Sequence, residues 1–191
     1  MVFMLSNALL FLLQSVSGFF AGILLLRFWM QWCRAPIRNP LSEFVQALTN
    51  FAVLPTRRVI PGLWGMDLAS LVLSWGVLVI EAVLTLSLKG ILPASVTALG
   101  MVLLLALVML LRLAIYLAIG CIFLMVIISW VNPASPMYSL VNTLTRPLLR
   151  PIQRVVPPIG AVDLSPLIVL LLLQLILMVP LAYLERLASL L

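Results

Sequence analysis

Residues 55–71 read PTRRVIPGLWGMDLASL, and residues 151–167 read PIQRVVPPIGAVDLSPL. A shift of 96 positions lays Pro55, Arg58, Val59, Pro61, Asp67, Leu68 and Leu71 on Pro151, Arg154, Val155, Pro157, Asp163, Leu164 and Leu167. The match extends upstream, where Pro40, Val45, Leu48 and Thr49 fall on Pro136, Val141, Leu144 and Thr145. Identity at proline, arginine and aspartate is more specific than identity among leucines, and an internal repeat sets the architecture. The chain therefore divides into two tandem copies, residues 1–90 and 91–191.

The solvent of these copies follows from what flanks the repeated loop. Apolar residues make up 65% of the chain and charged residues 8%, against roughly 25% charged in a soluble domain. A chain of this size leaves much of its area exposed, so that exposed area faces lipid. A span needs about 20 apolar residues. The candidates run from about Asn7 to Phe28, Leu68 to Leu88, residues 104–130, and Leu164 to Leu184. The tract between Lys89 and Trp130, interrupted by Arg112, reads either as one long helix or as two short spans. The N-terminus has no basic n-region or small-residue cleavage site before Arg27, so it is expected to be a retained span.

Charge decides between those readings. Arg34, Arg38, Arg57 and Arg58 lie in the first connecting segment, and Arg146, Arg150 and Arg154 in the second. Both segments are expected on the cytoplasmic side. An even number of crossings must then separate them, which favours four spans. The surplus of residues 91–111 becomes helix overhang, tilt or an interfacial segment. The expected fold is an all-α membrane protein with four transmembrane helices in two helix–loop–helix repeats. The expected orientation has both large loops cytoplasmic and both termini on the opposite side of the membrane.

The loops share a grammar. Asn39-Pro40 and Ser135-Pro136 each place an N-cap residue before a proline at the first helical position. Leu41, Phe44, Val45 and Leu48, and then Met137, Leu140, Val141 and Leu144, follow at helical spacing. Such an amphipathic helix either lies in the bilayer interface or packs on the spans as ordinary core. In the Pro-bracketed segments a helical turn could start at the first proline and must stop before the second. Arg57, Arg58, Arg150 and Arg154 are the residues expected to face lipid phosphates or a partner, each worth about 1 kcal/mol at an anionic surface. A role in topology alone is equally open. Asp67 and Asp163 open the next spans and suit helix N-caps. A sharper reading pairs Asp67 with Arg58 and Asp163 with Arg154, folding each loop over its own helix start.

These stretches resemble the YggT/YlmG family of small membrane proteins. The likeness rests on Arg27 through Trp32, Asn39-Pro40-Leu41, Leu48-Thr49, Pro55 through Pro61 and Gly65 through Ser70, with Leu144 through Gly160 and Asp163 through Pro166 in the second copy. The first copy departs at Asn50-Phe51, where the second has Arg146-Pro147, and at Trp64, where glycine is usual. The resemblance implies a two-copy bacterial form. It also implies links to cell division or septation, to cytochrome maturation and nucleoid organisation in plastid relatives, and to osmotic stress or ion homeostasis. Haem ligation is not expected, because histidine is absent and there is no C-x-x-C-H site.

Glu81 and Arg112 put charges inside apolar tracts, at roughly similar depth in the outer half of the membrane. They read either as a structural pair or, for Glu81, as part of a proton or cation path with Gln174 nearby. Arg27 is expected to snorkel to headgroups. Gly18, Ala21 and Gly22 favour close helix contacts, including those of a homo-oligomer. Cys33 and Cys121 read as two thiols in apolar surroundings rather than a disulfide framework. No nucleophile–base set, phosphate loop or metal cluster appears, so neither enzyme activity nor a cofactor is expected. The expected role is a membrane scaffold or assembly factor. Its partners would be anionic lipid headgroups and a membrane or cytoplasmic protein, with no direct nucleic-acid binding. The alternative is an ion-homeostasis protein working through Glu81.

Overall fold

The structure, a computed structural model, describes residues 2–36, 39–62, 65–90, 95–156, 163–184 and 186. Arg38, Trp64 and residues 157–162, which include the closing proline of the second bracket, lie outside the described residues. The described elements are α1 (Val2–Trp32), α2 (Pro40–Thr56), α3 (Leu68–Leu88), α4 (Val96–Val131), α5 (Pro136–Val155) and α6 (Ser165–Ile176). A π-helical turn, Leu177–Leu181, continues α6. Among the described residues, four helices are long and apolar enough to cross a membrane: Leu5–Trp32, Leu68–Leu88, Val96–Val131 and Ser165–Leu184.

The ambiguous tract resolves as one helix. Ser95 caps α4 by accepting from Ala98 N at 3.1 Å, and 36 residues follow without a break. At 1.5 Å per residue this helix is about 54 Å long, against a hydrocarbon core of about 30 Å. The excess is overhang or tilt, and the exposed Val96 and Leu99 lie at its start. The π turn in the last span contains Pro180. Proline supplies no N–H and crowds the carbonyl four residues back, so the local shift to wider hydrogen bonding has an identifiable cause.

Helix α2 starts where Asn39 Oδ1 accepts from Ser42 N at 2.8 Å, and α5 where Ser135 Oγ accepts from Tyr138 N at 3.1 Å. Neither helix breaks at the first bracketing proline. α2 passes through Pro55, and α5 through Pro147 and Pro151 to Val155. The expectation of a new turn beginning at that proline is therefore corrected: it closes the preceding helix. An interior proline costs about 3 kcal/mol. Leu140, Val141, Leu144 and Leu149 of α5 are all at least 97% buried, and each such side chain contributes about 1.5–3 kcal/mol. Packing outweighs the prolines.

The apolar faces of both loop helices pack on the spans in part: Leu41, Val45, Leu48, Leu140, Val141 and Leu144 join the core, whereas Phe44 and Met137 of the same expected faces are exposed. Val45 of α2 and Leu140 and Leu144 of α5 share one core with Trp29, Ala118, Ile122, Met125 and Val169. The loop helices of the two copies thus contribute to one core, and Trp29 Nε1 ties the first span to α5 by donating to Leu144 O at 3.1 Å. α1 and α3 form the closest helix pair, with Ser74 Oγ donating to the fully buried Ala21 O at 2.8 Å. The small residues of α1 are used here within the chain: Ala21 faces α3, and Gly22 faces Leu113 of α4. Both cysteines are free thiols.

Candidate functional site

Asp67 is the centre of the most developed polar cluster. It sits just before α3, and its side chain is 1% exposed. Arg57, in the turn after α2, donates from Nε to Oδ1 at 3.1 Å and from Nη2 to Oδ2 at 2.6 Å. Ser70 Oγ donates to Oδ2 at 2.6 Å, and Arg27 Nε lies 3.4 Å from the same oxygen. Burial opposes ionisation of Asp67. The hydrogen bonds from Arg57 and Ser70 and the charges of Arg57 and Arg27 outweigh it and hold the carboxyl below its ordinary range. The bond to Asp67 holds Arg57 above its own ordinary range.

Two expectations are corrected here. Asp67 pairs with Arg57 and Arg27 rather than with Arg58. Both Arg57 and Arg58 are exposed in the turn 57–59, but only Arg57 is directed at Asp67. Arg27 does not snorkel; it is 9% exposed and donates from Nη1 to Thr49 Oγ1 at 2.6 Å and to Asn50 Oδ1 at 2.9 Å. With a carboxylate, a hydroxyl and an amide within reach, a guanidinium is better satisfied inside than at the surface. Asp67 also makes no side-chain cap bond to the backbone of α3.

The second copy holds a reduced version. Asp163 Oδ2 accepts from Gln153 Nε2 at 2.9 Å, and Oδ1 accepts from Ser165 N at 2.8 Å. Asp163 therefore engages Gln153 rather than Arg154, at the repeat position of Arg57. Its modest desolvation is outweighed by the bonds from Ser165 and Gln153, so its carboxyl also lies below the ordinary range. Phe123 stands at the repeat position of Arg27 and is exposed. Thr145, equivalent to Thr49, is fully buried and donates to Val141 O at 3.0 Å.

The departure at Asn50-Phe51 now has a cause. Asn50 accepts from Arg27, and Phe51 stacks on Phe20 with ring centroids 5.6 Å apart. An arginine at position 50, as at 146, would face Arg27 with like charge. Each copy carries one guanidinium in this region, on the first span in one copy and on the loop helix in the other.

Beside this cluster lies a cavity of about 570 Å3 lined by Arg27, Gln31, Arg34, Ser42, Gln46 and Arg57 among others. A smaller one, about 320 Å3, is lined by Trp32, Cys33, Thr143, Arg146, Pro147 and Arg150. Arg146, Arg150 and Arg154 are all exposed on α5.

Glu81 is 5% exposed, and its Oε2 lies 2.5 Å from Ser17 Oγ of α1. The expected Glu81–Arg112 pair is corrected. The ion pairs found among the described residues both use Asp67, and Glu81 turns to α1 because α3 packs most closely on that helix. Arg112 has an interaction of its own. Among the described residues no three His, Cys, Asp or Glu side chains gather in a metal-binding group.

Gln31, Asn50, Ser70 and Ser17 are neighbours of these carboxylates and of Arg27 and Arg57 that sequence reasoning did not assign, and Arg27 was assigned to the headgroups instead. Thr49, identical in both copies, was the available signal for a buried acceptor; Ser17 carried none.

Comparison with known proteins bears on the duplicated loop. The family model described as CCB3/YggT matches twice, over residues 6–88 and 104–184. The uncharacterized protein YggT of Escherichia coli K12 is 37% identical over 171 residues, covering 89% of this chain and 87% of its own. An uncharacterized protein of Pseudomonas aeruginosa is 36% identical over 175 residues, covering 90% and 87%. One of Vibrio alginolyticus is 31% identical over 169 residues, covering 88% and 90%. No solved structure matches. With the family model covering both helix–loop–helix units, the chain belongs to the CCB3/YggT family.

Proposed function

We propose that the chain is a non-enzymatic scaffold or assembly factor of the bacterial inner membrane. In this reading both loop helices are cytoplasmic, both termini are periplasmic, and α2 and α5 lie at the headgroup interface. The observation that carries it is the stripe of Arg146, Arg150 and Arg154. These residues recur every fourth position on the face of α5 opposite the buried Leu140, Val141, Leu144 and Leu149. A helix clamped to the spans by one face and arginine-rich on the other presents fixed positive charge to headgroups or to an acidic partner. The ties from Arg57 to Asp67 and from Gln153 to Asp163 fasten each loop to the start of the following span. The resemblance directs the search for a partner to septation, cytochrome maturation and osmotic adaptation.

Photocrosslinkers at positions 150 and 154 in cells test this reading. It expects a discrete protein adduct that is lost when Arg146, Arg150 and Arg154 are replaced by glutamine. Absence of any defined adduct overturns it.

A second reading, a proton or cation path through Glu81, is favoured by one detail. Ser17 Oγ carries one proton but lies 2.5 Å from Glu81 Oε2 and 2.6 Å from Leu13 O, so both contacts are hydrogen bonds at the same time only when the carboxyl brings a second proton. Cation or proton flux in liposomes that is abolished by Glu81→Gln would establish this path in place of the scaffold.

A further inference from the structure

The loop-end cavity of the first copy is built for an oxyanion. Three guanidiniums line it, from Arg27, Arg34 and Arg57. No carboxylate lines it among the described residues; Asp67 lies behind Arg27 and Arg57 and is already satisfied by both and by Ser70. Three cations against one anion leave two unbalanced positive charges around about 570 Å3, a volume within the range of ligand sites. Among the described residues the Arg34 guanidinium, Arg27 Nη2 and Arg57 Nη1 have no protein acceptor.

Arg34 supplies an independent observation. It ends α1 in the left-handed region, with φ +52°. Ala35 N donates to Met30 O at 2.9 Å, and Arg34 N donates to Gln31 O at 3.0 Å. This is the helix stop in which glycine normally occupies the left-handed position. Arginine there is costly to the backbone, and its exposed side chain gains no hydrogen bond or ion pair from the protein among the described residues. What the position gains is a third guanidinium at the cavity. Trp32 at the end of α1 and Trp130 at the end of α4 are 53% and 83% exposed, as expected of aromatic side chains at headgroup depth.

We infer that this cavity binds a phosphate group, held by Arg34, Arg27 and Arg57 at the level of the lipid headgroups. An anionic phospholipid headgroup supplies that phosphate at this depth; free phosphate offers the same chemistry. Guanidinium donors suit it because their fork matches two phosphate oxygens at once. The site is separate from the α5 stripe. A protein that binds phosphate here but yields no crosslinked partner loses the scaffold reading and keeps this one.

The test uses the full chain in detergent, with native mass spectrometry and thermal unfolding. The probes are phosphatidylglycerol, phosphatidylcholine and inorganic phosphate, each with wild type, Arg34→Asn, Arg34→Gly and Lys89→Gln. Asn and Gly accept the left-handed backbone without the cation, so the lipid-free midpoint is expected not to fall in either. Phosphatidylglycerol binding is expected to weaken about ten-fold in both, as for loss of one charge-assisted bond, and to be unchanged in Lys89→Gln. Preference for phosphatidylglycerol over inorganic phosphate identifies the lipid as the source, and equal protection by inorganic phosphate identifies the free anion. Binding of phosphatidylglycerol and phosphate that is indifferent to Arg34, or no stronger than that of phosphatidylcholine, overturns the inference.

Discussion

Arg57 holds Asp67 through two nitrogens across ten residues of chain, and Gln153 closes the same interval to Asp163 with one. Both ties join the turn after the loop helix to the start of the following span. In the first copy Arg27 adds a buried charge from the preceding span. The polar core is thus a charged triad in one half and a neutral-to-anionic bond in the other.

Replacing Asp67 by alanine strands the buried Arg27 and is expected to cost about 3–5 kcal/mol. Arg57→Gln reproduces the second copy and is expected to cost no more than about 1–2 kcal/mol, since that side chain is 39% exposed. Asp163→Ala is expected to cost about 1 kcal/mol. Equilibrium unfolding in detergent ranks the three; equal losses at Asp67 and Asp163 would contradict the asymmetry.

The carboxyl of Asp67 is held below its ordinary value, so on acidification the unfolded chain takes up this proton first. Its stabilisation is complete above the unfolded value of about 3.9 and is lost as pH falls from there through the folded value. The stability gap between wild type and Asp67→Asn is therefore expected to narrow below about pH 4. A gap that stays constant between neutral pH and pH 3, roughly one unit below the unfolded value, contradicts the assignment.

Asn50→Arg places a second guanidinium against Arg27 and is expected to destabilise strongly, by about 2–4 kcal/mol. Arg27→Phe with Asn50→Arg copies the pattern of Phe123 and Arg146 and is expected to recover part of that loss. A double-mutant cycle measures the coupling, expected at about 1–3 kcal/mol. Additive effects would show that the two positions do not share one charge.

Ser17→Val leaves the carboxyl of Glu81 without its partner, at an expected cost of about 1–3 kcal/mol. Glu81→Gln can still bond Ser17 and is expected to cost less. Thermal midpoints of the two variants should therefore separate in that order.

Trp29→Phe removes the indole bond to Leu144 O with little change in apolar volume. About 1 kcal/mol of stability is expected to be lost, together with increased protease access to α5 in reconstituted protein.

Much was legible before any contact was known. A helix start is local, so Asn39-Pro40 and Ser135-Pro136 announce themselves within four residues. Span count follows from apolar length together with the two basic loops, which require an even number of crossings between them, and the duplication from identities at Pro, Arg and Asp. Side-chain partners were not legible. Arg57 and Arg58 are adjacent in sequence and chemically identical, and only the turn after α2 selects which one reaches Asp67. Glu81 and Arg112 looked matched by depth, but depth leaves rotation about each helix axis undetermined. The packing of α3 on α1 brought Ser17 there instead. Composition, the internal repeat and the charge of the loops determined a duplicated four-span helical protein with two basic loops, because those properties follow from transfer to lipid, topology and local backbone chemistry. Only the tertiary structure decided that Arg27 turns inward to Asp67, that Trp29 of the first span bonds the loop helix of the second copy, and that an arginine-lined cavity opens beside Arg34. Those depend on which faces of distant helices come within hydrogen-bond reach, and sequence spacing does not encode that.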